Sequence, residues 1–208
     1  GNPVVDAGRV LVALGSPGGP SIENISQVVT PWRYGASVAG AGDVNGDGYS
    51  DIIVGAPSAT GTLSGEGAAR VLIGGASGLA GTLWTQFGGE VFGGFGSAVS
   101  SARAVDGDGL SDVLEGAVFQ DMGGPQDQGR AYVYRGPLTA GSAPFWTASG
   151  NSMFANLGHA LANAGDVNGD GWSDLVFGMP GYNGTGYRQG LARVHYGAQG
   201  AGTFQLGL

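Results

Sequence analysis

The chain of 208 residues has no cysteine, which excludes disulfides, thiolate metal sites and a cysteine nucleophile while leaving the cellular compartment open. Charged residues are few, at 12%, and no apolar run approaches about 18 residues, so no membrane-spanning helix is predicted. No basic patch offsets the formal charge of −8, and a nucleic-acid partner has little to recommend it. The abundance lies elsewhere: 45 glycines beside 42% apolar residues is the mixture of short strands joined by tight turns. Val, Leu, Ile and aromatic clusters recur on a fixed period in a chain of low charge, which argues against disorder.

Nine of the sixteen acidic residues fall in three short loops. The pattern Asp-Val-Asn-Gly-Asp-Gly-aromatic-Ser-Asp occupies residues 43–51 and 166–174, and a degraded copy occupies 104–112. Side-chain oxygens at loop positions 1, 3, 5 and 9, with glycine at position 6, let a short turn wrap its oxygens around a hard cation. The expected ligands are Asp43, Asn45, Asp47 and Asp51 in the first loop and Asp166, Asn168, Asp170 and Asp174 in the third. Tyr49 and Trp172, at position 7, contribute backbone carbonyl oxygen while their rings pack or face solvent. The middle loop keeps Asp106, Asp108 and Asp112, with Leu110 at position 7, but has Ala104 at position 1 and Arg103 where the other copies have Gly42 and Gly165. Two readings of it stay open: a weaker calcium site, or a loop in which the Arg103 guanidinium pairs with an aspartate and partly replaces the ion.

The competing reading of the intact loops is an Asx-rich turn without metal. Converging carboxylates with no cation would repel one another, and the spacing occurs twice, so calcium is expected. Magnesium, which prefers a small octahedral site that keeps several waters, is disfavoured. Two ions would take the net charge to −4 and three to −2, so the acidity is mostly ligand. Calcium modules with dissociation constants of roughly 0.1 to 1 mM work where calcium is plentiful, which favours an extracellular or cell-surface setting. No signal peptide is visible at Gly1, and a mature or excised fragment would lack one.

The last aspartates of the loops, Asp51, Asp112 and Asp174, are 61 and 62 residues apart. Around each loop the order is constant: a Gly-led apolar segment, the loop, a second apolar segment, a variable loop, and two more short apolar segments. Segments this short, bounded by Gly, Pro, Asn and Asp, are strands. The fold class is therefore all-β, with blades of four antiparallel strands. A calcium-binding β-helix competes, but it needs a repeat of about nine residues. The predicted units are 1–33, 34–94, 95–156 and 157–208. The first is a half blade holding only third and fourth strands, at 8–15 and 27–30. About three and a half blades fall short of the roughly four to eight that close a propeller. The chain is thus expected to be a fragment, or to be completed by another chain or copy.

Phe95-Gly96, Gly55-Ala56-Pro57 and the acidic loop pattern together resemble the FG-GAP repeat, the unit of the integrin α-subunit β-propeller. Gly116-Ala117 and Gly178-Met179-Pro180 are variants of the second half. The resemblance implies a seven-bladed ring with calcium between the first two strands of some blades, and a role in adhesion or ligand binding without catalysis. The implied partner is an extracellular protein or a glycan. Other readings are the accessory propeller of a secreted enzyme similar to glycosylphosphatidylinositol-specific phospholipase D, a lectin, and a subunit of an extracellular filament.

Loops 58–66, 119–128 and 181–189 differ between units, and variable loops are where specificity is placed. Asp121, Asp127, Tyr182, Asn183 and Tyr187 are candidate ligand contacts there. Glu115 stands where the other units have Val54 and Phe177; it is expected to line a wet central channel, with an arginine partner or a ligand-binding role as alternatives, because a buried unpaired carboxylate is costly. His159 and His195 sit in no motif that would pair them with a nucleophilic serine or a zinc ion. Trp84 and Trp146, 62 residues apart in equivalent positions, are expected between blades, whereas Trp32 is a candidate for exposure.

Overall fold

A computed structural model describes residues 8–15, 17–19, 21–27, 32–184, 189–197 and 205–206. Every regular element among them is a strand: β1 (Arg9–Leu14), β2 (Ser21–Gln27), β3 (Ser37–Gly42), β4 (Asp51–Ala56), β5 (Ala68–Ile73), β6 (Gly81–Phe87), β7 (Phe95–Arg103), β8 (Asp112–Ala117), β9 (Arg130–Tyr134), β10 (Trp146–Ser149), β11 (Ala160–Gly165), β12 (Asp174–Met179), β13 (Leu191–Tyr196) and β14 (Gln205–Leu206). They form a two-stranded sheet, β1-β2, and three four-stranded sheets, β3-β4-β5-β6, β7-β8-β9-β10 and β11-β12-β13-β14. All pairings within the sheets are antiparallel and join neighbours in sequence. This is the meander of propeller blades. The return strand of the first hairpin, expected at 27–30, instead runs over Ser21–Gln27, because the chain reverses at once in the Pro17-Gly18-Gly19 turn; residues 28–30 lie outside the described residues.

The core lies between sheets. Ala41, Val44, Ile53, Val71 and Trp84 of the first full blade join Phe95, Val99, Val113, Tyr132 and Tyr134 of the second. Ala102, Leu114 and Val133 of the second join Leu157, Leu175, Phe177 and Met179 of the third. A smaller cluster seats Val10 of β1 against Val54, Ala68 and Leu72. Second strands are therefore covered on both faces: β8 is buried at all six positions, which explains near-continuous apolar runs where a one-sided sheet would alternate. Trp84 meets Tyr134 edge-on at 4.8 Å, and Trp146 meets His195 at 4.9 Å and Phe177 at 5.6 Å, so both tryptophans bridge blades as their register implied. Trp32 is half-buried, with its ring 6.1 Å from Phe87 and the Arg70 guanidinium 5.9 Å above it, so the neighbouring blade covers it.

Innermost strands are neighbours, with β7 lying against β3 on one side and β11 on the other. Parallel bridges Gly67–Phe95 and Gly129–Leu157 tie the third strand of one blade to the start of the next. At these seams the two halves of the repeat motif meet. A Cβ on Gly116 would stand 2.1 Å from the Gly158 carbonyl oxygen, and the same holds for Gly55 against Gly96. Only glycine permits that approach.

Glu115 does not line a channel. It is fully buried on β8, where Oε1 accepts the Gly96 N–H and Oε2 has no hydrogen-bond partner. Burial pushes its carboxyl well above the ordinary range, although the Gly96 N–H pulls the other way. The bulge between Phe95 and Ala98 is what frees that N–H.

Candidate metal centre

Each acidic loop begins the same way. The first strand carries a bulge just before its last residue, between Gly40 and Gly42, Ser101 and Arg103, and Asn163 and Gly165. That last residue is left-handed: φ is 75° at Gly42, 56° at Arg103 and 74° at Gly165. The bulge and the positive φ aim the following residue, loop position 1, into the turn.

In the first loop the Asp43 carboxylate gathers backbone donors, Oδ1 accepting Gly46 N–H at 2.7 Å and Asp47 N–H at 3.2 Å, and Oδ2 accepting Gly48 N–H at 2.9 Å. Desolvation works to raise its pKa, but these N–H bonds together hold it below the ordinary carboxylate value. Asn45 Oδ1 accepts Asp47 N–H at 3.0 Å, Asn45 Nδ2 donates to Asp47 Oδ2 at 2.9 Å, and Asp47 Oδ1 accepts Tyr49 N–H at 2.9 Å. The third loop repeats every one of these bonds, with Asp166 accepting Gly169 at 2.7 Å, Asp170 at 3.0 Å and Gly171 at 2.8 Å, and Trp172 N–H reaching Asp170 at 2.9 Å.

The position-9 aspartates have a further task. Asp51 is fully buried and accepts Val44 N–H and Gly74 N–H, both at 2.9 Å. Asp112 does so with Val105 and Gly136, and Asp174 with Val167 and Gly197. Each pins the start of its loop to the end of the third strand. Burial raises Asp51 and takes Asp112 to about 7, the backbone bonds opposing it and the loop aspartates adding to it.

Among the described residues no three His, Cys, Asp or Glu side chains stand gathered as a ready ligand cluster. The donors of the two intact loops are nonetheless all oxygen: two exposed or half-exposed carboxylates and an amide, with the buried aspartate beneath. That set fits a hard cation and is unsuited to a soft one. Asp43, Asn45, Asp47, the Tyr49 carbonyl and Asp51 would hold the ion in one loop, and Asp166, Asn168, Asp170, the Trp172 carbonyl and Asp174 in the other; it would neutralise carboxylates that the turn forces together.

Position-7 side chains cover the preceding loop. The Trp172 ring lies where a Cβ on Gly107 would stand 2.1 Å from it, and Leu110 lies 3.2 Å from the corresponding point on Gly46. Tyr49 is 45% exposed. Loop one also accepts the Ser111 N–H on the Asp43 carbonyl at 2.8 Å, so consecutive loops are joined.

The middle loop is built otherwise. Arg103 is exposed and makes no ion pair among the described residues. The guanidinium that reaches the loop belongs to Arg135, with Nη1 3.0 Å from Asp106 Oδ2. Arg103 serves the left-handed corner instead, its N–H bonded to Ser101 Oγ at 3.0 Å.

At the opposite end of the sheets, the connections 57–67, 88–94 and 118–129 surround a cleft of about 650 Å³ lined in part by Arg33, Phe92, Ser97, Phe119 and His159. Buried Glu66 organises it, accepting Gly61 and Leu63 N–H on Oε1 and Gly89 N–H on Oε2. Glu90 Oε2 accepts the N–H groups of Asp121 and Met122 at 3.0 and 2.9 Å. Phe92, Phe119, Met122 and Met153 are each more than half exposed. Of the candidate contacts, Asp121 and Asp127 are half-buried on this face, where desolvation and then the charge of Asp121 raise Asp127. Tyr182 packs on the core between the last two blades, and Asn183 Nδ2 donates to the Met153 carbonyl at 3.3 Å. Tyr187 lies outside the described residues. The cleft residues Arg33, Phe92 and His159 carry no local sequence signal and are brought together only by the blade-to-blade arrangement.

Meandering four-stranded sheets whose inner strands adjoin, with an acidic turn after each inner strand, define a β-propeller repeat protein. The FG-GAP repeat family matches residues 34–72 and 157–195. Integrin alpha-V of Gallus gallus is 34% identical over 158 residues, covering 70% of this chain and 14% of that protein. Integrin alpha-IIb of Homo sapiens is 32% identical over 165 residues, covering 72% and 15%. Phosphatidylinositol-glycan-specific phospholipase D of Homo sapiens is 34% identical over 178 residues, covering 79% and 20%. The chain is an FG-GAP repeat protein, integrin α-like in sequence. It spans between 14 and 20% of the length of these relatives.

Proposed function

We propose that the chain is a calcium-stabilised propeller segment of an extracellular or cell-surface protein that binds a protein or glycan ligand and catalyses nothing itself. The observation that supports this most directly is the division of labour between its two ends. One end carries two loops of identical hydrogen bonding whose all-oxygen donors suit calcium; the other presents a cleft of about 650 Å³ lined in part by the exposed Phe92 and Phe119. An exposed apolar patch of this kind marks a binding surface. Similarity to integrin α subunits favours adhesion as the context. The units are taken as a half blade, 1–33, and three blades, 34–94, 95–156 and 157–208, part of a seven-bladed ring whose remaining blades come from elsewhere in a longer protein or from another chain or copy.

Similarity to the phospholipase supports a second reading, an accessory propeller beside a catalytic domain. Calcium titration calorimetry of the chain tests the metal arm of the proposal, and the absence of any binding heat up to several millimolar calcium would refute it. For the binding arm, Phe92→Asp and Phe119→Asp should abolish adhesion of the chain to extracellular-matrix proteins or arrayed glycans without lowering its melting temperature.

A further inference from the structure

We propose that the middle loop takes no calcium because Arg135 supplies a tethered positive charge in its place, so that the three loops accommodate two ions. This rests on the reading of the outer loops as calcium sites. Three departures from the sister blades occur together in this one copy. Loop position 1 is Ala104 in place of aspartate, position 3 is Asp106 in place of Asn45 and Asn168, and the residue just beyond the third strand is Arg135 where the sister blades have Ile73 and Tyr196. The last equivalence is fixed by geometry, since the glycines that follow, Gly74, Gly136 and Gly197, all donate to a position-9 aspartate at 2.9 Å.

Each departure has a physical counterpart. Without the first carboxylate, the three backbone donors that Asp43 collects have no side-chain acceptor of that kind, and Gly107 N–H turns to the Ala104 carbonyl at 3.3 Å. The carboxylate gained at position 3 accepts the guanidinium, Arg135 Nη1 standing 3.0 Å from Asp106 Oδ2. The arginine is held from behind, with its guanidinium carbon 3.9 Å from the centre of the Phe145 ring. Arg135, Phe145, Asp106 and Asp108 thereby share one cleft of about 440 Å³. A guanidinium bonded to one carboxylate and stacked on an aromatic face is pre-organised for this position. A divalent ion entering would have to displace that charge, with one ligand fewer than its sister loops offer.

The test combines calcium stoichiometry with melting of the full chain. Calorimetry should give two ions per chain; Asp170→Ala should leave one and Asp108→Ala should leave two. The double variant Ala104→Asp with Arg135→Met should gain a third. Arg135→Met alone should lower the melting temperature by about 2–4 °C, equally in calcium and in chelator, because the arginine acts without metal. Three ions bound by the wild type, or an Arg135→Met loss confined to one of the two conditions, would overturn the proposal. No ions bound, with the Arg135→Met loss intact, would instead refute calcium in the outer loops and leave the arginine's role standing.

Discussion

Gly55 and Gly96 touch backbone to backbone across the seam between two blades: Ser37 Oγ donates to the Gly96 carbonyl at 2.8 Å, and that carbonyl lies 2.1 Å from where a Cβ on Gly55 would stand. The glycine of one blade's Gly-Ala-Pro thus receives the glycine of the next blade's Phe-Gly. The Gly96 carbonyl is backbone and a Cβ has no rotamer of its own, so neither can yield by a rotamer change, and Ser37 Oγ, 2.2 Å from the same point, would have to swing away as well. Gly55→Ala should therefore cost about 2 kcal/mol or more in urea unfolding, whereas Gly15→Ala, where a Cβ meets nothing within 4 Å, should be near neutral.

Calcium bound only by the folded chain stabilises it by mass action. At ten times the dissociation constant each site contributes about 1.4 kcal/mol. Chelation should lower the melting temperature, and Asp170→Ala should abolish part of that calcium-dependent increment while Asp108→Ala leaves it unchanged. Differential scanning calorimetry at roughly 0.1 and roughly 5 mM added calcium, near the expected affinity and well above it, would check both.

Glu115 binds its proton more tightly folded than unfolded, since burial raises its pKa. Its contribution is therefore fully present below the unfolded value of about 4.5 and is lost as pH rises toward the folded value. Glu115→Gln keeps an oxygen for the Gly96 N–H and removes the titration. The variant should be more stable than wild type at pH 7 by on the order of 1–3 kcal/mol, with the gap closing toward pH 4 in chemical denaturation.

His195 runs the other way. Desolvation, and then the charge of Arg193, lower it to about 4, and its Nδ1 is buried without a hydrogen-bond partner. The unfolded chain takes up this proton first, so stability should fall as pH drops from about 6.5 toward 4. His195→Phe, which keeps a ring against Trp146 and Phe177, should remove on the order of 1 kcal/mol of that decline after allowance for solvent screening, read as a smaller difference in melting temperature between pH 7 and pH 5.

The all-β blade and the outer loops were legible in the sequence because both are local. Asp43 and Asp47 lie within one turn, and a period of 61 residues displays the unit. What the sequence hid is what depends on neighbouring sheets. Arg135 reaches Asp106 across 29 residues, so adjacency in the chain favoured Arg103, whose backbone turned out to matter and whose charge did not. The burial of Glu115 is not legible either, because a strand covered on both faces has no inward and outward alternation to read. The cleft residues Arg33 and His159 are 126 residues apart and share a wall only because first strands gather side by side.

The parallel bridges Gly67–Phe95 and Gly129–Leu157 have a consequence for biosynthesis. Each fastens a finished hairpin to the first residues of the succeeding unit, so a blade already outside the ribosome offers a template edge to the one emerging. Assembly can then advance from the amino end in steps of one repeat, each step closing a loop of similar size.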